Sequence, residues 1–208
     1  MSTIPDSTSM TPDMTWDVAT LFPRQGQWSD TGYLNLTDDL NRLVELTHGR
    51  LEILEMPTTS HQQIVFKLVQ RLLAFVEPQK LGTALMAPLR VRLQPGLFRE
   101  PDVVFASTAH QHFIQDDFWT GADLVMEVVS AGLKSRRRDF DEKRSEYAAA
   151  GIAEYWIVDP LTQTILVLEL LNSRYELVGE FGINEIASSR LLTGFTVAVN
   201  DVLNLPAA

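Results

Sequence analysis

The sequence contains no cysteine, and this absence excludes disulfide bonds and thiolate metal sites. It also lacks any apolar run near the roughly 18 residues that a membrane-spanning helix needs. The first residues have neither the basic start nor the apolar segment of a signal peptide. We therefore expect a cytoplasmic protein that has no membrane partner.

Basic residues are scarce, since 17 Lys and Arg stand against 27 Asp and Glu, which gives a formal net charge of −10 at pH 7. Non-specific binding to nucleic acid usually needs a basic face, so this balance weakens such a function without excluding it. The cations that do occur are concentrated in one segment, LKSRRRDFDEKR, at residues 133–144.

The length of 208 residues and the 45% share of hydrophobic residues indicate one globular domain with a core. Residues 1–15 are rich in Ser, Thr, Pro and Asp and predict a flexible leader. We therefore expect residues 16–208 to form a single domain, without an internal repeat or a linker.

The first half of this domain predicts a hairpin, a helix and a strand. Two alternating apolar runs flank the turn THG in RLVELTHGRLEILEM and predict an N-terminal β-hairpin. Ser60 is the expected N-cap of an amphipathic helix, because apolar residues recur after it at helical spacing. The segment ALMAPLRVRLQPG predicts one strand that stops at Pro95.

The second half predicts buried strands and a further helix. EPDVVFAS and ADLVMEVVS are continuously apolar, which is typical of central strands covered on both faces of an α/β sheet. A helix is expected from Asp139, as its N-cap, to Ala150, before a closing Gly151. Two strands, EYWIVDP and TILVLELL, follow it.

Three charged residues interrupt these patterns. Asp102 follows Pro101 at the start of DVVFA, Glu127 lies within LVMEVV, and Lys143 shares a helix face with apolar residues. An unpaired charge inside an apolar strand is costly, so a metal ion or another cation would explain Glu127. Mg²⁺ prefers oxygen ligands and is usually held by one or two carboxylates together with substrate phosphate.

Each residue taken alone also has an ordinary structural interpretation. Asp102 could cap a turn, Glu127 could form a structural ion pair, and Lys143 could be solvated. The combination of two acids from separate strands with a lysine from the following helix favours a metal site.

The segments REPDVVFAS, ADLVMEVVS and RRRDFDEKRSEYAAAGIAEYWIVDP resemble the Uma-two family of endonucleases, a branch of the PD-(D/E)XK restriction-endonuclease-like superfamily. The resemblance also includes HGRLEILEMPTTSHQQIVFKL and extends from about residue 42 to residue 170. It implies an α/β fold, in which a mixed central β-sheet is flanked by helices, with an N-terminal hairpin and a divalent-metal site at one end.

The resemblance also implies the principal site residues. Asp102 matches the family's Pro-Asp acid and Glu127 matches its second acid, so both would be catalytic residues and metal ligands. The generic superfamily lysine would stand two residues after Glu127, but that position is Val129. Lys143 on the next helix matches the family's relocated lysine.

Weaker matches extend the site. Glu52 would be an additional catalytic acid near the metal, and His61 would contact nucleic acid. The alternative for His61 is a residue at a helix N-terminus that bonds its own backbone. Arg136, Arg137 and Arg138 would contact phosphates, unless they form a solvated basic loop.

Three functions remain from this reasoning. The first is a metal-dependent endonuclease that hydrolyses phosphodiester bonds in DNA, uses Mg²⁺ or Mn²⁺, and acts as a homodimer by analogy with enzymes that cut both strands. The second is a catalytically weak or inactive module of the same fold that binds nucleic acid or protein. The third is a metal-dependent hydrolase of a small phosphate ester, because a fold does not fix a substrate.

Overall fold

The computed structural model describes residues 22–40 and 42–204. In these residues the strands are β1 Val44–Thr47, β2 Arg50–Ile53, β3 Gly82–Met86, β4 Val91–Gln94, β5 Leu97–Arg99, β6 Val103–Ser107, β7 Leu124–Val128, β8 Glu154–Asp159, β9 Thr164–Leu171, β10 Arg174–Phe181, β11 Ile186–Ser188 and β12 Thr196–Ala198. The α-helices are α1 Asp30–Asp39, α2 Thr59–Val76, α3 Leu133–Arg137, α4 Lys143–Ala149 and α5 Val199–Leu203. A 3₁₀ segment covers Thr108–Phe113, and a π-helical turn, Arg138–Glu142, joins α3 to α4. The predicted leader of residues 1–15 lies outside the described residues, as does the predicted start of the domain at Trp16.

A six-stranded mixed sheet forms the centre of the protein, with the strand order β10-β9-β8-β7-β6-β3. Within it β7 and β8 are parallel, and the other neighbouring strands are antiparallel. A smaller antiparallel sheet has the order β2-β1-β5-β4 and contains the N-terminal hairpin, which turns at His48 and Gly49. Strands β11 and β12 form a separate pair. The mixed sheet, the flanking helices and the hairpin agree with the fold that the sequence predicts.

The two faces of the central sheet bury different cores. On β7, Leu124, Met126 and Val128 belong to the core that includes α2 and α5. Val125 belongs to the core that includes α4. Because side chains alternate along a strand, Glu127 lies on the same face as Val125 and is directed towards α4. This alternation brings a carboxylate on β7 together with the helix that carries Lys143.

A buried carboxylate on β8 attaches the C-terminal segment to the central sheet. Glu154 accepts hydrogen bonds from Trp156 Nε1 at 2.7 Å and from Ser189 Oγ at 2.7 Å. Its other oxygen accepts from the backbone N–H groups of Arg190 at 2.6 Å and Leu191 at 2.9 Å. These donors satisfy a charge that burial would otherwise make costly.

The start of α2 differs from the expectation. Ser60 is not the N-cap, because Thr58 adopts the extended conformation and its side chain accepts from the backbone N–H of His61 at 3.2 Å. Ser60 lies inside the first turn, where its hydroxyl does not cap the helix.

The single strand expected from residues 84–94 is also divided. β3 ends at Met86 in the central sheet, and β4 begins at Val91 in the smaller sheet. Pro88, which follows a cis peptide bond, lies between them. Proline has no N–H to donate to a ladder, so the chain passes from one sheet to the other here.

The helical segment around residue 139 begins earlier than expected. It follows Gly132, whose φ of 126° ends the preceding extended chain, and it continues through the π-helical turn into α4. Asp139 is therefore a buried residue within the segment and not an N-cap. None of the helices in the described ranges is long and apolar enough to cross a membrane.

Candidate active site

Asp102, Glu127 and Lys143 line one cleft of about 130 Å³. Asp102 immediately precedes β6, Glu127 lies on β7, and Lys143 opens α4. Three elements thus bring the three residues singled out by the sequence to a common opening. His61, Glu100 and Arg138 contribute to the same lining.

A buried ion pair forms the base of this cleft. Lys143 Nζ donates to Glu127 Oε1 at 2.7 Å, and the Tyr147 hydroxyl donates to the same oxygen at 2.6 Å. Only 2% of Lys143 and 3% of Glu127 are exposed, so water contributes little to either charge. Lys143 and Tyr147 are four residues apart on α4 and therefore project from one helix face.

A further carboxylate, which the sequence analysis did not identify, completes this ion pair. Glu45 on β1 is buried, and its Oε1 lies 3.6 Å from Lys143 Nζ. Its Oε2 accepts from Arg99 Nη1 at 2.7 Å. The available signal was Arg99 itself, a cation in the short buried strand β5, because a buried cation requires a nearby anion.

Arg99 also connects the smaller sheet to α4. Its Nε and Nη2 donate to the two carboxylate oxygens of Glu146, each at 2.7 Å. This two-point contact is the geometry in which guanidinium and carboxylate groups bind most specifically. The position of Lys143 therefore depends on β1 and β5 as well as on its own helix.

Asp102 is held on the other side of the cleft. Its Oδ2 accepts from the Val128 backbone N–H at 2.7 Å and lies 3.3 Å from His61 Nε2. His61 Nε2 is also 3.0 Å from the Val128 carbonyl oxygen. The His61 side chain thus joins Asp102 to the end of β7, and the alternative that it bonds its own backbone is wrong.

Three acidic groups of the cleft have raised pKa values. Burial raises the pKa of Glu127, the Lys143 ammonium opposes this rise, and the Asp102 carboxylate adds to it. Burial likewise raises the pKa of Asp139 against the effect of Lys143. Burial raises the pKa of Glu100 to about 7, with a further contribution from the Glu45 carboxylate.

Lys143 and Arg99 keep the neighbouring carboxylate of Glu45 ionised. Burial would raise the pKa of Glu45, but Lys143 and Arg99 outweigh it and lower the pKa to about 2. Burial would lower the pKa of Lys143, but Glu127 and Glu45 keep it above its ordinary value. Lys143 therefore remains an ammonium group with more than one acid beside it.

The cleft is lined by more acidic than basic side chains, and a divalent cation would balance the excess negative charge. Within the described residues, Glu100 Oε2 and Asp139 Oδ1 are buried and have no hydrogen-bond partner. In residues 22–40 and 42–204 no group of three or more His, Asp or Glu side chains could hold a metal ion by itself. Asp102 and Glu127 together would leave several positions to water or phosphate, which is the usual situation of protein-bound Mg²⁺.

Glu52 does not line this cleft. It lies opposite Glu45 in the β1–β2 ladder and lines an adjacent pocket with Leu133, Lys134, Arg137, Arg138 and Glu142. Lys134 and Arg138 line both the cleft and this pocket, so the two openings are adjacent.

The side chains of the three consecutive arginines, Arg136, Arg137 and Arg138, have different surroundings. Arg136 donates to the buried Asp159 at 2.6 Å and lies over the Phe140 ring at 5.0 Å. Arg137 has 76% of its side chain exposed, and Arg138 has 18% exposed. Arg137 and Arg138 are thus placed along the opening, whereas Arg136 fixes the end of β8.

The sequence of the chain matches a known protein family. Residues 30–200 match the model of the Uma2 family, described as "Putative restriction endonuclease". Because the match covers well over half of the sequence, the chain belongs to the Uma2 family, which confirms the predicted membership. No curated protein matches the chain.

Among solved structures the chain is similar to a protein from Anabaena variabilis described as "a putative nuclease belonging to DUF820". The TM-score is 0.67 at 17% sequence identity, and the match covers 82% of this chain and 97% of that one. At this identity the likeness establishes the fold, and the predicted fold class is confirmed.

Replacing Arg99 with methionine should lower the free energy of unfolding by about 3–5 kcal/mol, because Glu45 would remain buried without its guanidinium partner. Urea denaturation measures this change. Arg71→Met is the matched control, since Arg71 pairs with Asp201 on the surface and its loss should cost less than about 1 kcal/mol. Equal losses in the two variants would contradict the structural role given to Arg99.

Proposed function

We propose that the protein is a metal-dependent endonuclease that hydrolyses phosphodiester bonds in DNA. The observation that supports this most strongly is the meeting of Asp102, Glu127 and Lys143 at one cleft. Membership of the Uma2 family agrees with it. Cleavage of both strands would need two such sites, so we include a homodimer in the proposal.

In this proposal Asp102 and Glu127 would hold Mg²⁺, with Mn²⁺ as an alternative. When bound, the ion supplies Lewis acidity to a phosphoryl oxygen and makes a bound water more acidic. Lys143 and Tyr147 fix the Glu127 carboxylate in one orientation through bonds to Oε1. Asp102 is fixed by the Val128 N–H, with His61 beside it.

Lys143 has a second role in the proposal. It lines the cleft and carries a charge that is compensated from below by Glu45. Such a pre-positioned ammonium group stabilises negative charge that develops on a phosphoryl group during hydrolysis. Because its carbon chain is packed and buried, little reorganisation is needed.

The adjacent pocket would hold the flanking DNA backbone. Lys134, Arg137 and Arg138 surround this opening and would contact phosphates, which fix position more than sequence. Glu52, in the same lining, is proposed as an acid at the margin of the site. Because Arg136 donates to Asp159, the proposal assigns the phosphate contacts to its neighbours and gives Arg136 a structural role.

One observation favours a second candidate function, an inactive module that binds nucleic acid. The Glu127–Lys143 pair is almost fully buried and is also bonded to Tyr147, as a purely structural ion pair would be. Such a module would bind DNA through the basic opening without cleaving it.

A plasmid-nicking assay separates these functions. The wild type should nick supercoiled plasmid with Mg²⁺ or Mn²⁺ and should lose this activity in a chelator. Asp102→Asn and Glu127→Gln should each reduce nicking by about 100-fold or more, because each removes a ligand charge. Glu176→Gln, at an exposed position of β10, is the matched control and should leave the rate unchanged.

Thermal unfolding, measured on the same samples, identifies any variant that is inactive because it is unfolded. Equal nicking by the wild type and both site variants would identify a contaminant and contradict the proposal. DNA binding without any nicking by the wild type would support the inactive module.

The salt dependence of DNA binding tests which arginines contact phosphate. Arg137→Ala should reduce the slope of log K against log[salt] by about 0.9, the value for one lost phosphate contact. Arg136→Ala should leave the slope unchanged and should instead lower the unfolding temperature, since it removes the partner of Asp159. Fluorescence anisotropy across a salt series measures the slope, and the reverse pattern would contradict the assignment.

A further inference from the structure

The most exposed large apolar side chains in the described part of the chain lie at the end of the molecule that carries the cleft. They are Leu133, Leu161, Met56 and Ile53, which are 89%, 78%, 75% and 64% exposed. A single exposed apolar residue is normal, but a group of them around one opening is typical of a binding surface.

These side chains come from separate elements around the cleft. Ile53 at the end of β2 lines the cleft itself, and Leu133 at the start of α3 lines the adjacent pocket. Met56 lines a larger cavity of about 520 Å³ that shares part of its lining with the cleft. Leu161 follows β8, whose last residue is bonded to Arg136 of α3. A ligand bound across the cleft would therefore meet apolar groups on more than one side.

Leu133 projects into solvent because of the backbone that precedes it. Gly132 has a φ of 126° and a ψ of 146°, a conformation that residues with a side chain rarely adopt. The chain turns there from the end of β7 into α3, and Leu133 opens the helix with its side chain almost fully exposed. The leucine therefore contributes little to the core, and a polar substitution there should cost little stability.

Cations accompany this exposed leucine. Lys134, Arg137 and Arg138 line the same pocket and outnumber its two acids. A ligand in the pocket would thus meet positive charge and an aliphatic side chain together. A DNA strand presents matching groups, because its phosphates are anionic and the faces of its bases are apolar. In an intact duplex those faces are covered by stacking, so a side chain reaches them only where a base step is opened.

We propose that the protein binds DNA that is unstacked beside the cleavage position, with Leu133 inserted between two neighbouring bases. This inference rests on the proposed function, because it concerns the substrate of the same site. Lys134 and Arg137 contact phosphates next to the opened step, and Ile53 contacts the base that is displaced towards the cleft. Leucine is among the apolar wedges by which proteins separate a base step.

The insertion makes DNA that is already distorted the preferred substrate. Separating two stacked bases costs free energy, and the cost is smaller where a base is mismatched or unpaired. A net charge of −10 also limits what contacts to the phosphates of a regular duplex can contribute. A duplex with a mismatch beside the cleavage position should therefore bind more tightly than a matched one.

A matched duplex and the same duplex with one central mismatch test this directly, since the two carry the same charge. Binding to the full chain is measured by fluorescence anisotropy in a chelator, so that cleavage cannot interfere. The wild type should bind the mismatched duplex about tenfold more tightly, because a mismatched step is easier to unstack. Equal affinity of the wild type for the two duplexes would overturn the proposal and would favour a protein partner for these apolar side chains.

Leu133→Ser should bind both duplexes with the affinity that the wild type has for the matched one, since the cations of the pocket remain. Leu133→Met keeps a long apolar side chain and should retain the preference. Both variants should unfold at the wild-type temperature, because the side chain is exposed. A preference that persists in Leu133→Ser would overturn the proposal.

Leu171→Ser is the matched control. Leu171 is also exposed, but it ends β9 at the other end of the central sheet, because β9 runs antiparallel to β8. This variant should keep the wild-type ratio of the two affinities. Loss of the preference in Leu171→Ser as well would contradict the assignment to Leu133.

A 2-aminopurine base beside the mismatch reports the insertion itself, because its fluorescence rises when its stacking is lost. Binding of the wild type and of Leu133→Met should raise the fluorescence, whereas binding of Leu133→Ser should not. No rise with the wild type at saturation would overturn the insertion.

The nicking assay keeps this proposal separate from the nuclease itself. A mismatch preference in a protein that does not nick plasmid would support the inserted leucine and contradict the nuclease. Nicking by a protein without a mismatch preference would support the nuclease and overturn the inserted leucine.

Discussion

The buried contact between Lys143 and Glu127 determines the arrangement of the surrounding residues. Two charges that are almost fully removed from water must be compensated by their neighbours, and here the compensation extends across three elements. Tyr147 bonds Glu127, whereas Glu45 lies beside Lys143 and is bound in turn by Arg99. The smaller sheet, the central sheet and α4 are therefore held in one relative position by electrostatics as well as by apolar packing.

Much of the site was predictable because three residues contradicted their local pattern. Asp102 opens one apolar strand, Glu127 interrupts another, and Lys143 shares a helix face with apolar residues, so each could be found from the sequence. Glu45 was not identified, because in an alternating hairpin it occupies an outward position, and the buried Arg99 was only an indirect signal of it. Its burial results from the approach of α4, a contact between residues about a hundred positions apart.

The fold class was also predictable, whereas several element boundaries were not. The strands EPDVVFAS and ADLVMEVVS indicate a covered sheet by composition alone. Asp139 has the residue type of an N-cap, but a π-helical turn extends the helix past it and buries it near Lys143. Pro88 interrupts an alternating pattern whose two parts lie in different sheets. Such outcomes depend on tertiary contacts, which local propensity does not contain.

The net charge of −10 does not describe the charge around the candidate site. There, a cleft lined mainly by acidic side chains lies beside a pocket lined by Lys134, Arg137 and Arg138. We propose that Asp102 and Glu127 together hold one divalent ion. Anomalous diffraction from a crystal soaked in Mn²⁺ tests it most directly. A single strong peak is expected between these two carboxylates, and it should be lost in Asp102→Asn. A strong peak elsewhere, or none at the cleft at saturating Mn²⁺, would contradict it.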